Sequence, residues 1–241
     1  MPCVVALYMA PYPNGVSRRL RYRGAAGSGQ RRVAAWTEIA LLDGVLKRQI
    51  DPPIDWLAGG LARLKIGANT VTVAGLVLGL AAAAAIAFGA LITGLVLILL
   101  SRLADGLDGA VARQTRPTDF GGYLDIVFDF LFYGSIPLAF AILDPQANAL
   151  AAAILLMSFY ANGASFLAYA VMAEKRGIRT VQRGTKSLYF TTGLAEASET
   201  LAVFVLFCLL PQHFALIACV FAAMTAWTFA WRVRLSFQAF G

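Results

Sequence analysis

The sequence predicts an all-α integral membrane protein with six transmembrane helices, preceded by an N-terminal juxtamembrane amphipathic helix. Of its 241 residues, 59% are hydrophobic and only 14% are charged, and the mean hydropathy is +0.71. These values lie well outside the balance of an ordinary soluble domain. Two further observations support the prediction: a series of long apolar runs, and basic residues that all fall on one side of the resulting topology.

The first 66 residues divide into two predicted segments. Residues 1–34 contain prolines, glycines and clustered arginines without periodicity, which is typical of a flexible basic arm. Their short apolar stretch precedes the arginines, the reverse of a secretory signal, so we expect no cleaved signal peptide. Residues 35–66 predict cytoplasmic or interfacial amphipathic helices. The predicted apolar face of the second helix consists of Ile54, Leu57, Leu61 and Leu64. Such a face suits the membrane interface or, equally, packing against the protein's own bundle.

Six apolar runs lie between residues 67 and 235, which we predict to be the transmembrane domain. The runs are residues 71–88, 91–103, 124–143, 149–172, 189–210 and 214–231. A bilayer core of about 30 Å needs about 20 helical residues. The second run reaches that length if its helix continues to about Arg113. Residues 236–241 remain as a short tail.

The positive-inside rule gives the predicted topology an orientation. With six spans, all 20 Lys and Arg residues fall on the side that carries both termini. Both termini and the polar end of the second span are therefore expected in the cytoplasm, at the inner membrane if the source is bacterial. The net charge of +7 does not form one basic stripe, so we expect no nucleic-acid partner.

Four aspartates stand at the ends of the second and third predicted spans. At about 100° per residue, the polar and small residues of each helix share one narrow arc. The two sets are Asp105, Asp108, Gly109 and Ala112 on one helix, and Gly121, Asp125 and Asp129 on the next. Two adjacent helices would therefore point all four carboxylates at one another.

Charged carboxylates within a span cost several kcal/mol and repel one another, so a cation must compensate them. Arg102 and Arg113 supply two charges, too few if they also serve elsewhere. Ligands that are all oxygen favour a hard cation such as Mg²⁺, Mn²⁺ or Ca²⁺. The alternative is an ion- or proton-coupled transporter that uses the acidic cluster. Against it, no acidic residue in the first, fourth or sixth run continues a path across the membrane.

The aspartate pattern resembles the signature of the CDP-alcohol phosphotransferase family, Asp-x2-Asp-Gly-x2-Ala-Arg, a spacer, then Gly-x3-Asp-x3-Asp. Every fixed position is matched, although the spacer has seven residues where eight is more usual. The resemblance covers about residues 65–235, because six spans with this signature across the second and third are the family architecture. Asn69 and Thr72 resemble the family's Asn-x-x-Thr entry to the first span, with Ala68 in place of its usual proline.

The resemblance implies a transferase of phospholipid biosynthesis. Its donor would be a CDP-linked lipid, CDP-diacylglycerol, and its acceptor a small alcohol that attacks the lipid-side phosphorus and releases CMP. It implies that the protein binds two Mg²⁺ or Mn²⁺ ions. It also implies a homodimer that contacts membrane lipids. The metal ligands would be Asp105, Asp108, Asp125 and Asp129, the last also acting as general base.

The resemblance also implies donor-binding residues, which are Asn69, Thr72, Gly109, Arg113 and Gly121. Asn69 could instead be a helix N-cap, and Arg113 could instead pair with a carboxylate or a lipid headgroup. The acceptor, if phosphorylated, would meet Arg179, Arg183 and Lys186 in the loop after the fourth span. Positive-inside topology alone would also require basic residues there.

Overall fold

The structure is a computed structural model that describes residues 53–176 and 197–241, and all regular elements in these two ranges are helical. The helices are α1 (residues 53–63), α2 (Ala68–Ala87), α3 (Leu91–Gln114), α4 (Asp119–Leu143), α5 (Pro145–Lys175), α6 (Ala197–Leu209) and α7 (Phe214–Phe240), with a 3₁₀ turn at Pro211–His213. The predicted basic arm and the predicted acceptor residues Arg179, Arg183 and Lys186 lie outside the described residues.

Four helical segments of the described chain are long and apolar enough to cross a membrane. They are α2, α4, α5 and the segment Pro211–Phe240. α3 is one continuous helix of 24 residues, which confirms that the second run continues through its polar end as far as Arg113. α6 is described only from Ala197 onward, so the fifth predicted span lies partly outside the described residues. The protein is an integral membrane protein, and six spans remain a prediction.

Small residues let α2 approach its two neighbours closely. α2 packs along α3 and α4, α5 packs along α4 and α7, and α6 contacts α3. A Cβ atom added at Gly75 would lie 3.2 Å from the Ala104 Cβ, and one at Gly79 would lie 2.5 Å from the Phe132 ring. The Gly75-x-x-x-Gly79 pair therefore forms a helix interface within the chain, as small residues do in membrane bundles.

The bundle core at the end remote from the aspartates is aromatic. The ring centroids of Phe140 and Phe214 lie 4.8 Å apart and nearly parallel, and Phe207 lies 4.5 Å from Phe214. All three side chains are completely buried. Stacked and tilted pairs at these separations stabilise a core through close packing. They join α4, α6 and α7 near the turn at Pro211–His213.

The short helix α1 packs against the cytoplasmic end predicted for α3. Ala58 is completely buried there, and Ile54 and Leu61 pack beside it. Leu57 and Leu64, which we predicted to belong to the same face, are exposed. Two of the four predicted residues, Ile54 and Leu61, therefore pack on the bundle together with Ala58, which lies between them at i+4, and the helix ends at residue 63, before Leu64. This contact is packing on the protein's own bundle.

Candidate active site

Three carboxylates meet where the end of α3 faces the start of α4. Asp105 and Asp108 lie in the second half of α3, and Asp125 lies in the second turn of α4. One oxygen from each side chain lies within 4.8 Å of the other two. Asp108 and Asp125 are buried and Asp105 is half-buried. We call these three residues the aspartate trio.

Two oxygens of the aspartate trio have no hydrogen-bond donor. Asp108 Oδ2 and Asp125 Oδ1 are buried and unpartnered among the described residues. A buried acceptor without a partner is costly, and adjacent carboxylates also repel. A hard divalent cation takes oxygen ligands and would remove both penalties. The trio therefore fits the predicted kind of metal ion.

Asp129 faces the same region but has a different partner. It lies one turn beyond Asp125, is buried, and is not one of the three residues whose oxygens cluster. Its Oδ1 accepts a hydrogen bond from Arg102 Nη1 at 2.8 Å. The same Nη1 lies 3.6 Å from Asp105 Oδ2. All four predicted aspartates are thus brought together, with Arg102 between Asp129 and the trio.

Arg102 is a site residue whose role the sequence did not reveal. From the sequence, Arg102 is predicted only to be one of two charges that compensate the carboxylates. Its side chain is 14% exposed, and its Cζ lies 3.8 Å from the centre of the Phe132 ring. The available signal was an arginine in an otherwise apolar run, which indicates a functional or paired charge in a membrane helix.

Thr118 fixes the start of α4, and the sequence prediction did not include it. Its side-chain oxygen accepts a hydrogen bond from the Gly121 backbone N–H at 3.0 Å. Threonine directly before a helix is a recognised N-cap signal, so the residue could have been identified. By anchoring the first turn, this cap holds Gly121 and, one turn later, Asp125 toward α3.

Two residues predicted to bind the CDP-lipid donor lie on α2: Thr72 lies beside the trio, and Asn69 lies at the start of the helix. α2 begins at Ala68 with Gly67 as its N-cap, so the interpretation of Asn69 as the N-cap is wrong. Asn69 lies within the first turn instead. Thr72 is buried, its hydroxyl donates to the Ala68 carbonyl at 3.0 Å, and its side chain lies near the Asp108 carboxylate.

Gly109 and Arg113 lie on the outer side of the trio. Among the described residues, a Cβ atom at Gly109 would meet only Arg113 Nη1, at 3.8 Å, so the backbone there is open to a bulky group. Arg113 Nη2 lies 3.5 Å from Asp55 Oδ1 of α1, and the two side chains are 45% and 55% exposed. Exposed pairs of this kind are weak. Asp55 was not predicted as a partner.

Helices of membrane-spanning length, with a buried acidic cluster suited to a divalent ion, define an integral membrane protein with a site at one end of its helix bundle. Residues 65–233 match the family model of the CDP-alcohol phosphatidyltransferases, and the chain belongs to that family. It is therefore a transferase of phospholipid biosynthesis. The predicted resemblance is confirmed.

Two curated proteins are similar in sequence. The chain is 41% identical over 202 residues to the inner membrane protein YnjF of Escherichia coli strain K12, covering 83% of this chain and 98% of that protein. It is 44% identical over 93 residues to the archaetidylinositol phosphate synthase of Methanothermobacter thermautotrophicus, covering 38% of this chain and 44% of that enzyme. The second match spans less than half of either chain.

Solved structures with the same fold come from Mycobacterium tuberculosis. Its phosphatidylinositol phosphate synthase with CDP-DAG bound has a TM-score of 0.62 and 22% identity, covering 76% of this chain and 93% of that chain. The same enzyme in complex with manganese and citrate has a TM-score of 0.60 and 22% identity, covering 76% and 88%. At this identity the likeness concerns the fold.

Proposed function

We propose that the protein transfers a phosphatidyl group from CDP-diacylglycerol to a small alcohol and releases CMP. The observation that carries the proposal is the aspartate trio, which occupies signature positions of the family and has two buried oxygens without partners in the described part of the chain. The CDP-DAG bound to the Mycobacterium tuberculosis enzyme supports the choice of donor. The site would lie on the cytoplasmic face, where a lipid headgroup and a soluble acceptor meet.

The aspartate trio would hold the divalent ion, Mg²⁺ or Mn²⁺. When bound, such an ion offsets the negative charge that develops on the pyrophosphate as its bond to CMP breaks. The manganese complex of the Mycobacterium tuberculosis enzyme supports this choice of cation. A second ion with Asp129 as its ligand, as the family resemblance implies, would require the Asp129 carboxylate to leave Arg102.

Asp129 would act as the general base. The acceptor hydroxyl oxygen forms a bond to the lipid-side phosphorus, the bond from that phosphorus to CMP breaks, and Asp129 takes the hydroxyl proton. Arg102 engages Asp129 Oδ1, and the carboxylate stands one turn from Asp125, beside the trio but outside it. General bases contribute about 100-fold to 10,000-fold to a rate. We expect Asp129→Asn to lose turnover within that range while it still binds the donor.

The donor would lie across the starts of α2 and α4 and the end of α3, near Asn69, Thr72, Gly109, Arg113 and Gly121. The open backbone at Gly109 and the contact of Thr72 with Asp108 support this placement. Arg113 would exchange the weak contact with Asp55 for a donor phosphate, because charge-assisted bonds to phosphate are stronger.

The acceptor would enter from the cytoplasm. Arg179, Arg183 and Lys186, which lie outside the described residues, remain the proposed acceptor contacts. The names of the archaeal and mycobacterial relatives make inositol phosphate the first compound to try. Both termini in the cytoplasm and a homodimer also remain proposals.

The test is CMP release by the purified protein in detergent with CDP-diacylglycerol, Mn²⁺ or Mg²⁺, and a panel of alcohols. The panel contains inositol phosphate, glycerol 3-phosphate, serine and choline. We expect acceptor-dependent CMP, abolished by EDTA and restored by added Mn²⁺. If no member of the panel supports CMP release from any CDP-linked lipid, the proposed function is wrong, and ion transport by reconstituted vesicles becomes the next assay.

A further inference from the structure

The two halves of the aspartate signature are joined by a short turn, residues 115–118, which lies between α3 and α4. At the end of α3, the Thr115 hydroxyl and the Thr115 backbone N–H both donate to the Val111 carbonyl, at 2.8 and 2.9 Å. At the start of α4, the Thr118 hydroxyl oxygen accepts from the Gly121 N–H at 3.0 Å. The Val111 carbonyl would keep a backbone donor without the Thr115 hydroxyl. The Gly121 N–H, by contrast, depends on the Thr118 side chain.

The first turn of α4 contains two consecutive glycines, Gly121 and Gly122, both of which are buried. Apart from proline, glycine is the poorest helix former, because its backbone loses the most conformational freedom on folding. Thr118 accepts hydrogen bonds from both glycines. Its side-chain oxygen bonds the Gly121 N–H, and its backbone carbonyl bonds the Gly122 N–H at 3.1 Å. The side-chain bond therefore stabilises the part of α4 that unwinds most readily.

Asp125 depends on this first turn because it lies one turn further along α4. The residue is 7% exposed, and its Oδ1 has no hydrogen-bond donor among the described residues. One of its oxygens lies within 4.8 Å of an oxygen of Asp105 and of an oxygen of Asp108, which both belong to α3. Buried carboxylate oxygens this close together suit a divalent cation. The trio therefore obtains its third ligand from a helix whose start is held by one threonine side chain.

We propose that Thr118 is a positioning residue that sets the affinity of the aspartate trio for a divalent ion, by keeping the glycine turn of α4 helical. The inference rests on the proposed function, in which the trio holds Mg²⁺ or Mn²⁺. Loss of the cap leaves Asp105 and Asp108 in place on α3 but lets Asp125 move away from them. A site that is correctly formed for only part of the time binds its ligand less tightly, in proportion to that fraction.

Binding of Mn²⁺ without substrates tests the positioning. Mn²⁺ alone is titrated into the full chain in detergent, and the free ion is measured by electron paramagnetic resonance. Thr118→Val keeps the size and branching of the side chain but removes the oxygen that accepts from Gly121. We expect its Mn²⁺ affinity to fall about fivefold, in line with the loss of a helix N-cap. Unchanged affinity would overturn the proposal.

A series of substitutions separates the cap from the volume of the side chain. Serine and asparagine are N-caps at least as good as threonine, so Thr118→Ser and Thr118→Asn should keep Mn²⁺ affinity within about twofold of the wild type. If these two variants bind Mn²⁺ more weakly than Thr118→Val does, side-chain volume is what matters and the proposal is wrong.

Thr115→Val is the matched control, because it removes a threonine hydroxyl from the same turn. The Val111 carbonyl keeps its backbone donor in this variant, so we expect Mn²⁺ affinity to stay unchanged. An equal fall in Thr115→Val and Thr118→Val would attribute the effect to the turn as a whole and would contradict a specific role of Thr118.

Turnover at different Mn²⁺ concentrations gives a second readout. Thr118→Val should release CMP more slowly than the wild type at limiting Mn²⁺ and recover most of kcat at saturating Mn²⁺, because the bound ion favours the arrangement that holds it. A loss of CMP release by the same factor at every Mn²⁺ concentration would instead indicate general loss of folded protein and would overturn the proposal. If Thr118→Val does not fold, Thr118→Ala takes its place with the same expectations. Absence of CMP release from the wild type would refute the proposed function, while the Mn²⁺ titrations would still decide the role of Thr118.

Discussion

The two ends of the helix bundle use buried aromatic rings differently. At the end remote from the aspartates, the rings of Phe140, Phe207 and Phe214 pack against one another and fill the core. Toward the aspartates, Phe132 instead supports the guanidinium of Arg102. In the first region the buried Asn148 side chain donates to the Phe140 carbonyl oxygen, whereas the second region contains two carboxylate oxygens that lack partners among the described residues. The comparison predicts that changes in the aromatic end reduce stability, while changes around the aspartates reduce activity.

The largest effect is expected for Asp125→Asn. Loss of one charged ligand removes much of the ion's stabilisation of transition-state charge, which is worth several kcal/mol. We expect CMP release to fall about a thousandfold, which corresponds to about 4 kcal/mol. Thermal stability in detergent should be unchanged or slightly higher, because one buried charge is gone. The control is Asp119→Asn, an exposed aspartate in the first turn of the same helix, which should retain nearly full activity.

A somewhat smaller effect, on stability alone, is expected for Phe140→Ala. The ring is completely buried, and its removal leaves a cavity beside Phe214. Such truncations cost about 3 to 5 kcal/mol in cores of soluble proteins, and we expect the lower end of that range here. The measurement is the unfolding midpoint in detergent, with CMP release normalised to folded protein. A loss of activity greater than the loss of folded protein would show that the two ends are not separable.

Gly79→Ala should affect both stability and activity. The added Cβ would lie 2.5 Å from the Phe132 ring and 3.1 Å from Ser101 Oγ. Both groups contact the Arg102 guanidinium and support it, with 3.4 Å between Ser101 Oγ and Arg102 Nη2, so both supports must shift. Overpacking of this kind costs about 1 to 3 kcal/mol. We expect reduced stability together with reduced kcat. Gly60→Ala in α1 is the matched control, because a Cβ there meets no described residue within 4 Å. Unchanged kcat in Gly79→Ala would argue against Phe132 and Ser101 as the supports of Arg102.

The smallest effect is expected for Asp55→Ala. The contact between Asp55 and Arg113 is long and exposed, so its contribution to stability should be below about 1 kcal/mol. Since removal of Asp55 frees Arg113, we expect the donor KM to stay the same or to fall slightly. Steady-state kinetics over a range of CDP-diacylglycerol concentrations measure it. A large rise in KM would mean that Asp55 itself takes part in binding the donor or in placing α1.

The sequence correctly predicted those features that depend on the periodicity of a single helix. The periodicity of Asp105 with Asp108, and of Asp125 with Asp129, placed each pair on a face that the structure shows to be inward. It was wrong about the N-cap of α2 and did not identify Ala58 as the buried residue of α1, because helix ends and docking angles depend on neighbouring elements. It did not assign Arg102 to Asp129, since 27 residues separate the two and no local pattern joins them.

The sequence by itself determined the class of protein, the helices around the signature and the four carboxylates, because hydropathy and a period of 3.6 residues are properties of single segments. Only the tertiary structure decided how those carboxylates are divided, with three in one cluster and Asp129 on Arg102. That division depends on how closely α2, α3 and α4 approach, which Gly75 and Gly79 permit and Phe132 limits. The interaction energy of two buried charges depends on the distance between them, and helix packing sets that distance.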